Sequence, residues 1–160
     1  MNNKNRGMFL ETIINQTLTY YWNNDIAYIE KKSTPIKLKA LARSNKNKIH
    51  GTFSLRKSTL DYIGMYQGKF ICFEAKSTNE NRLDLNNFQT HQLAYLELIA
   101  THNGVAFVIV YFSLYNEFYL VTLSYIMQQY QNHKSIPYEE IKKNSRKLIL
   151  EFPGFLNILN

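Results

Sequence analysis

The sequence predicts an α/β fold in which helices flank a mixed β-sheet. Apolar residues recur at helical spacing over Met8–Trp22, whereas later segments alternate between short β-type runs and helical patterns. The run Val105–Phe112 (VAFVIVYF) is apolar at every position, so it should form a central strand buried on both faces of the sheet.

The remaining elements follow from the same periodicities and from turn and capping signals. Gln67-Gly68 is typical of a tight turn between two strands, and Asn23-Asn24 should end the first helix. The predicted elements are a helix over Met8–Trp22, strands over Ile26–Lys32, Leu60–Tyr66 and Lys69–Lys76, a helix capped by Thr90 or Asn87 with Gly104 past its end, strands over Val105–Phe112 and Glu117–Thr122, a helix from Ser124 through Tyr130, a short helix near Pro137, and a strand or packed tail over Lys147–Phe152.

Length and composition describe one ordinary globular domain spanning residues 1–160. The chain has 160 residues, of which 45% are hydrophobic and 19% are charged. Cys72 is the single cysteine, which excludes a disulfide scaffold and a cysteine-based zinc site. The longest apolar run is far too short to cross a bilayer, and Glu11 interrupts the apolar stretch near the N-terminus. A cytoplasmic protein with no membrane partner is expected.

Positive charge is concentrated in one segment. Nine of the 19 lysines and arginines lie within Lys31–Lys57, which contains no acidic residue, whereas the chain as a whole carries a net charge of +7. Such a localised field favours a polyphosphate partner such as nucleic acid. A solvated lysine-rich loop is the plainer interpretation. The periodicity of Pro35–Lys57 is weak, so this part is expected to protrude as a hairpin or loop.

Three charged residues on the predicted hairpin form a candidate catalytic site. A turn at Gln67-Gly68 pairs Asp61 with Glu74 across the antiparallel ladder, and side-chain alternation places Glu74 and Lys76 on the same face. Two facing carboxylates repel each other unless a cation lies between them, and Mg²⁺ or Mn²⁺ prefers such oxygen ligands. Lys76 would then orient or deprotonate the attacking water and offset charge on the phosphorane. The alternative is a surface strand on which Lys76 merely pairs with Glu74.

The same residues resemble a known family. Asp61-x12-Glu74-Ala75-Lys76 is similar to the PD-(D/E)xK nuclease signature, and the wider sequence resembles the RecU-type Holliday junction resolvases. The matching segments are Asn5–Met8 with Leu10-Glu11, Lys31-Lys32 with Thr34–Ile36, Ser58–Tyr62 with Gly64, Phe73–Lys76, Asn87-Phe88, His91-Gln92, Phe107–Ile109 and Lys134–Pro137. The resemblance implies a restriction-endonuclease-like fold, a homodimer, Mg²⁺-dependent nicking of four-way DNA junctions, and a basic stalk at about residues 35–57 that enters the junction.

The resemblance also implies roles for individual residues. Asp61 and Glu74 would be the metal carboxylates, Thr59 and Gln92 would contribute to the metal shell, and Lys76 would stabilise the transition state. As alternatives to site roles, Gln92 is read as a helix-surface amide and Arg6 as a surface arginine.

Two further sets of candidates lie outside this core. Glu11, on the first helix, is a candidate catalytic carboxylate that would face the same site, or else an exposed helical carboxylate. Phe53 and Arg56 would lie at the base of the stalk, where they could stack on an unpaired base. The predicted DNA-binding residues are Arg6, Lys37, Lys39, Arg43, Lys46, Lys48, Phe53, Arg56 and Lys57.

The sequence therefore predicts a homodimeric, Mg²⁺-dependent endonuclease that resolves four-way junctions by paired nicks, acts in recombination and repair, and works with a recombinase as a candidate partner. Two alternatives stay open. One is a non-catalytic protein that binds branched DNA or a recombinase, and the other is a restriction-like nuclease that acts on linear duplex DNA.

Overall fold

The computed structural model describes the backbone of residues 3–33, 36–44, 48–55 and 59–159 and the side chains of residues 7–33 and 59–159. The elements, in chain order, are α1 (Asn3–Asn23), β1 (Tyr28–Lys31), β2 (Ile36–Ser44), β3 (Lys48–Leu55), β4 (Tyr62–Tyr66), β5 (Lys69–Thr78), β6 (Arg82–Asp84), a 3₁₀ turn (Leu85–Asn87), α2 (Thr90–Thr101), β7 (Val105–Phe112), β8 (Glu117–Thr122), α3 (Leu123–Asn132), β9 (Ser135–Pro137), α4 (Tyr138–Asn144), β10 (Arg146–Leu148), β11 (Leu150–Glu151) and β12 (Phe155–Leu156).

The main sheet has six strands in the order β1-β4-β5-β7-β8-β10. Strands β5 and β7 are parallel, and the other neighbouring pairs are antiparallel, so the predicted mixed sheet is confirmed. The parallel pair requires a crossover connection, which contains α2. Strands β2 and β3, from the basic segment, pair with each other in a separate two-stranded sheet.

Both faces of the main sheet are covered. Helix α1 packs on one face through Leu10, Ile14 and Tyr21, which join Phe73 and Ile109 of the sheet in one apolar cluster. Helices α2, α3 and α4 cover the opposite face and form a second cluster. Strand β7 lies between β5 and β8, and its last six residues are buried, as the apolar run predicts. None of the helices among the described residues has both the length and the apolar character that a membrane span needs.

Several predicted boundaries are wrong by a few residues. Helix α1 begins at Asn3, before the predicted start at Met8. The prediction starts late because the first turn of the helix is polar and contributes nothing to the apolar periodicity. The residue that caps α2 is Gln89, and the cap of α3 is Thr122, whose hydroxyl accepts a hydrogen bond from the Tyr125 amide. Strands β6 and β9 have three residues each and pair with each other, and strands this short leave almost no periodic pattern in a sequence.

A partly buried carboxylate ties the start of β8 to α4 and β10. Glu117 accepts hydrogen bonds of 2.5 Å from the hydroxyls of both Tyr119 and Tyr138, and it forms an ion pair with Lys147. Burial by itself would raise the pKa of Glu117, but the hydrogen bonds from Lys147 and the two tyrosines outweigh it and lower the pKa to about 2. Tyr115 stacks on Tyr138 and extends the cluster.

This cluster predicts a pH-dependent contribution to stability. We expect Glu117→Gln to lower the free energy of unfolding at neutral pH by about 1–3 kcal/mol, because hydrogen bonds to a charged group are lost. Since the folded pKa of Glu117 is depressed from 4.5 to about 2, the contribution is present above 4.5 and is lost as the pH falls toward 2. Thermal melts of wild type and variant should therefore converge in acid. The exposed Glu97→Gln change is the control, and a gap that stays constant with pH would contradict the assignment.

Candidate active site

The hairpin of β4 and β5 sets the register of the site. Gln67 and Gly68 both have positive φ, at 48° and 75°, which is the geometry of a two-residue hairpin turn. Tyr62 is therefore paired with Phe73, and the next pair in the register is Asp61 with Glu74. The predicted pairing is confirmed, although Asp61 itself lies one residue before the strand begins.

Asp61 and Glu74 hold each other through backbone amides. The Asp61 N–H donates to Glu74 Oε1 at 3.1 Å, and the Ala75 N–H donates to Asp61 Oδ2 at 3.1 Å. Each carboxylate thus accepts a backbone hydrogen bond from the other side of the hairpin, just beyond the last paired residues of β4 and β5. This reciprocal arrangement fixes the two carboxylates side by side at the start of β4.

Glu74 lies in the protein interior. Its side chain is 0% exposed, because α2 covers this face of the sheet. Burial, reinforced by the charge of Asp61 and opposed by Lys76, raises the pKa of Glu74 to about 8. The alternative of a solvated surface strand with scattered charges is therefore wrong for Glu74.

Lys76 and Gln92 complete the face that α2 covers. Lys76 Nζ lies 3.3 Å from Glu74 Oε2 and 3.4 Å from Gln92 Oε1, and it sits 5.2 Å from the centre of the Phe88 ring. Gln92 Nε2 donates to Glu74 Oε2 at 2.9 Å, while Gln92 Oε1 accepts the N–H of Gln89 at the start of α2. The helix start therefore orients Gln92 toward the carboxylates through its amide nitrogen. A metal contact by its oxygen would require the amide to turn over.

Thr59 is held by a residue that the sequence prediction missed. The Thr59 hydroxyl accepts a hydrogen bond from Lys32 Nζ, and the Lys32 N–H donates to the Asp61 carbonyl at 2.7 Å. Lys32 also lies 5.9 Å from the centre of the Tyr95 ring on α2. No sequence pattern indicates this contact, because Lys32 comes to lie opposite Asp61 only through the pairing of β1 with β4.

An open cavity of about 290 Å³ lies against Asp61 on the face that α1 covers. Glu11 borders it, as predicted, and forms an ion pair there with Lys31. The buried Tyr62 forms part of its wall, and burial together with the charges of Glu11 and Asp61 raises the pKa of Tyr62. The cavity is lined by Gly7, Leu10, Glu11, Lys31, Lys32, Asp61, Tyr62, Ala75 and Ser77.

The predicted DNA-binding residues lie where no side chain is described. Arg6 lies on α1, Lys37, Lys39 and Arg43 lie on β2, and Lys48 and Phe53 lie on β3. Lys46, Arg56 and Lys57 fall outside the described residues. The backbone of β2 and β3 confirms that the basic segment contains an antiparallel hairpin.

The oxygen donors present fit a hard divalent cation whose remaining ligands come from water and substrate. Within the described ranges, no group of three His, Cys, Asp or Glu side chains converges on one point. Two adjacent carboxylates do converge, at Asp61 and Glu74, and Asp61 lines a cavity open to solvent. Mg²⁺ is commonly bound in this way, by one or two carboxylates together with water and substrate phosphate.

Comparison with known proteins defines the family. The model of the family described as Recombination protein U, RecU, matches residues 5–160. The chain belongs to the RecU family. The Holliday junction resolvase RecU of Mycoplasmopsis pulmonis is 42% identical over 159 residues, which cover 99% of this chain and 94% of that protein. The RecU resolvase of Bacillus cereus (strain B4264) is 40% identical, over 90% of this chain and 76% of that protein.

A solved structure supports the fold assignment. Hjc of Archaeoglobus fulgidus, a Holliday junction resolvase, aligns with a TM-score of 0.50 and 11% sequence identity, over 83% of this chain and 91% of that one. The restriction-endonuclease-like fold that the resemblance implied is confirmed. At this identity the likeness concerns the fold, whereas the membership in the RecU family rests on the sequence matches.

The burial of Glu74 predicts that it destabilises the metal-free protein in alkaline solution. Because its folded pKa is raised from 4.5 to about 8, the stability associated with its neutral form is lost as the pH rises through that range. In chelator at about pH 9, we expect Glu74→Gln to raise Tm by at least about 2–4 °C, the shift that about 1 kcal/mol produces in a domain of this size. At about pH 5 the gain should shrink.

Differential scanning calorimetry on metal-free protein measures both values, with Glu97→Gln as the exposed control. A variant that melts below wild type at about pH 9 would show that Lys76, Gln92 and the Asp61 amide more than offset the burial of the charge.

Proposed function

We propose that this protein is a metal-dependent endonuclease that resolves four-way DNA junctions, in homologous recombination and DNA repair. The observation that carries the proposal is that Glu74 and Lys76 adjoin Asp61, which itself lines an open cavity, in a chain of the RecU family. The names of the curated relatives support the same activity, that of a crossover junction endodeoxyribonuclease.

Asp61 and Glu74 would hold a divalent ion, with Mg²⁺ as the proposed cofactor and Mn²⁺ as a substitute. Thr59 and Gln92 are proposed to contribute to its surroundings. When bound, the ion supplies Lewis acidity at the scissile phosphate and lowers the pKa of water. Only the ionised form of Glu74 binds a cation. Because burial raises the pKa of Glu74, its ionised form is unfavourable in the metal-free protein, and a bound cation would stabilise it.

Lys76 supplies a positive charge on the covered side of the carboxylates. Its side chain is 17% exposed and its ammonium group is held between Glu74 and Gln92, so it needs little reorganisation to face a developing negative charge. We assign it the role of orienting the attacking water and stabilising charge on the phosphorane. Glu11, beside the cavity, is proposed as an auxiliary catalytic carboxylate.

Selectivity for branched DNA is assigned to the basic segment. We propose that residues 1–160 form one nuclease domain from which a stalk at about residues 35–57 enters the open centre of a junction, a feature that linear duplex lacks. Contacts of lysine and arginine with phosphates would position the substrate without reading its sequence. A homodimer would place two sites for paired nicks in opposing strands. A recombinase is a candidate partner, and action in the cytoplasm at the nucleoid is proposed.

The decisive test of the activity uses a labelled four-way junction and a linear duplex of equal length, each with Mg²⁺ and with chelator. We expect Asp61→Asn and Glu74→Gln to lower junction cleavage by at least about a hundredfold while junction binding in chelator is retained, because phosphate contacts lie elsewhere. Glu97→Gln is the matched control. Full cleavage by either site variant would refute the metal assignment, and the absence of any product from wild type would favour the non-catalytic binder.

The role of the basic segment has its own test. Deletion of Pro35–Lys57 should abolish the preference for a junction over linear DNA, because the charge that fills the junction centre is removed. Gel-shift competition between the two DNAs measures that preference, and Lys142→Ala with Lys143→Ala on α4 provides a charge control. If the deletion weakens both DNAs equally, a restriction-like nuclease acting on linear duplex becomes the better description.

A further inference from the structure

Lys32 links three separate elements beside the candidate site. Its ammonium group donates to the Thr59 hydroxyl and lies 5.9 Å from the centre of the Tyr95 ring on α2. Its backbone N–H donates to the Asp61 carbonyl at 2.7 Å and thereby extends the β1–β4 ladder by one pair. The side chain is partly buried where it makes these contacts.

The position of this contact in the chain is informative. Lys32 directly follows β1, and Thr59 lies two residues before Asp61; the basic strands β2 and β3 both lie between them in sequence. The hydrogen bond from Lys32 to Thr59 therefore joins the two ends of the insertion where they meet the main sheet. Any rearrangement of the insertion that reaches these ends must act on the residues that lead into Asp61.

We propose that Lys32 is a positioning residue that couples the basic segment to the catalytic carboxylate Asp61. The proposal rests on the proposed nuclease function and adds a route by which substrate engagement at the insertion acts on that site. The Lys32–Thr59 hydrogen bond fixes the Thr59–Asp61 segment, and the carboxylate of Asp61 is then correctly placed against the Ala75 N–H. Tyr95 holds the ammonium group on the side of α2 through a cation–π contact.

The competing explanation is direct contact between Lys32 and a DNA phosphate. Lys32 borders the open cavity, and an ammonium group has three donors, of which Thr59 uses one. A phosphate contact contributes to binding in the ground state, whereas a positioning role changes the rate once DNA and metal are saturating. The two roles therefore differ in which kinetic parameter changes.

The test uses single-turnover cleavage of a four-way junction by the full chain at saturating junction and Mg²⁺, with junction affinity measured separately in chelator. We expect Lys32→Met to lower the cleavage rate by about 10–100-fold, the usual effect of removing a supporting contact, and to change the affinity by less than about twofold. Lys32→Arg should recover most of the rate, since guanidinium can donate to Thr59 and stack on Tyr95. Lys69→Met, at the far end of the β4–β5 hairpin, is the matched control.

Amide hydrogen exchange of the metal-free protein provides a readout that does not depend on activity. We expect exchange of the amides of Asp61 and Tyr62 to accelerate in Lys32→Met, and likewise in Thr59→Val, which keeps the side-chain shape but removes the acceptor. If Lys32→Met folds poorly, Tyr95→Leu tests the same support and should give a smaller loss of rate with the same acceleration of exchange.

Two results would overturn the proposal: a loss of junction affinity with an unchanged rate at saturation, which identifies a phosphate contact, or exchange and rate both equal to wild type. Failure of the nuclease function itself is recognised separately. In that case wild type gives no cleavage, whereas the exchange measurement still decides whether Lys32 holds the segment.

Discussion

The enclosed carboxylate of Glu74 is the constraint on which the site depends. Transferring an ionised carboxylate out of water is unfavourable unless hydrogen bonds or opposite charge replace the lost hydration. The fold supplies the Asp61 amide, the Gln92 amide and the Lys76 ammonium group, and yet the pKa of Glu74 remains raised to about 8. The lost hydration of this interior carboxylate on β5 is therefore only partly replaced, and a bound cation would stabilise its charge. Strained electrostatics of this kind are characteristic of functional sites.

The two faces of the sheet provide different surroundings for the two carboxylates. On the face covered by α2, Gln92 and Lys76 brace Glu74 in a setting that excludes most water. On the face covered by α1, Asp61 borders a cavity that is open to solvent and large enough for a phosphate group. The position of Asp61 at the end of the ladder allows its carboxylate to reach the cavity while its backbone amide still holds Glu74.

The part of the site that could be predicted is the part determined by local rules. Gln67-Gly68 fixes a two-residue turn, the turn fixes the register, and the register places Asp61 beside Glu74. The burial of Glu74 could not be predicted in the same way, because it depends on how α2 crosses the sheet. The contact between Lys32 and Thr59 joins residues separated by a segment with weak periodicity, and only the three-dimensional fold brings them together.

The location of the basic charge is the feature that relates this widely shared fold to a particular kind of substrate. A restriction-endonuclease-like sheet, shared with Archaeoglobus fulgidus Hjc at 11% sequence identity, does not by itself determine a substrate. In this chain, nine basic residues and no acidic residue lie in the segment from Lys31 to Lys57, which begins in β1 and ends four residues before Asp61 in the sequence. The proposed DNA-binding segment and the proposed metal carboxylate are therefore neighbours in the chain. Because strands β1 and β4 pair up to Lys31 and Tyr62, and the Lys32 N–H donates to the Asp61 carbonyl, the start of the insertion is held in register with this carboxylate-bearing residue.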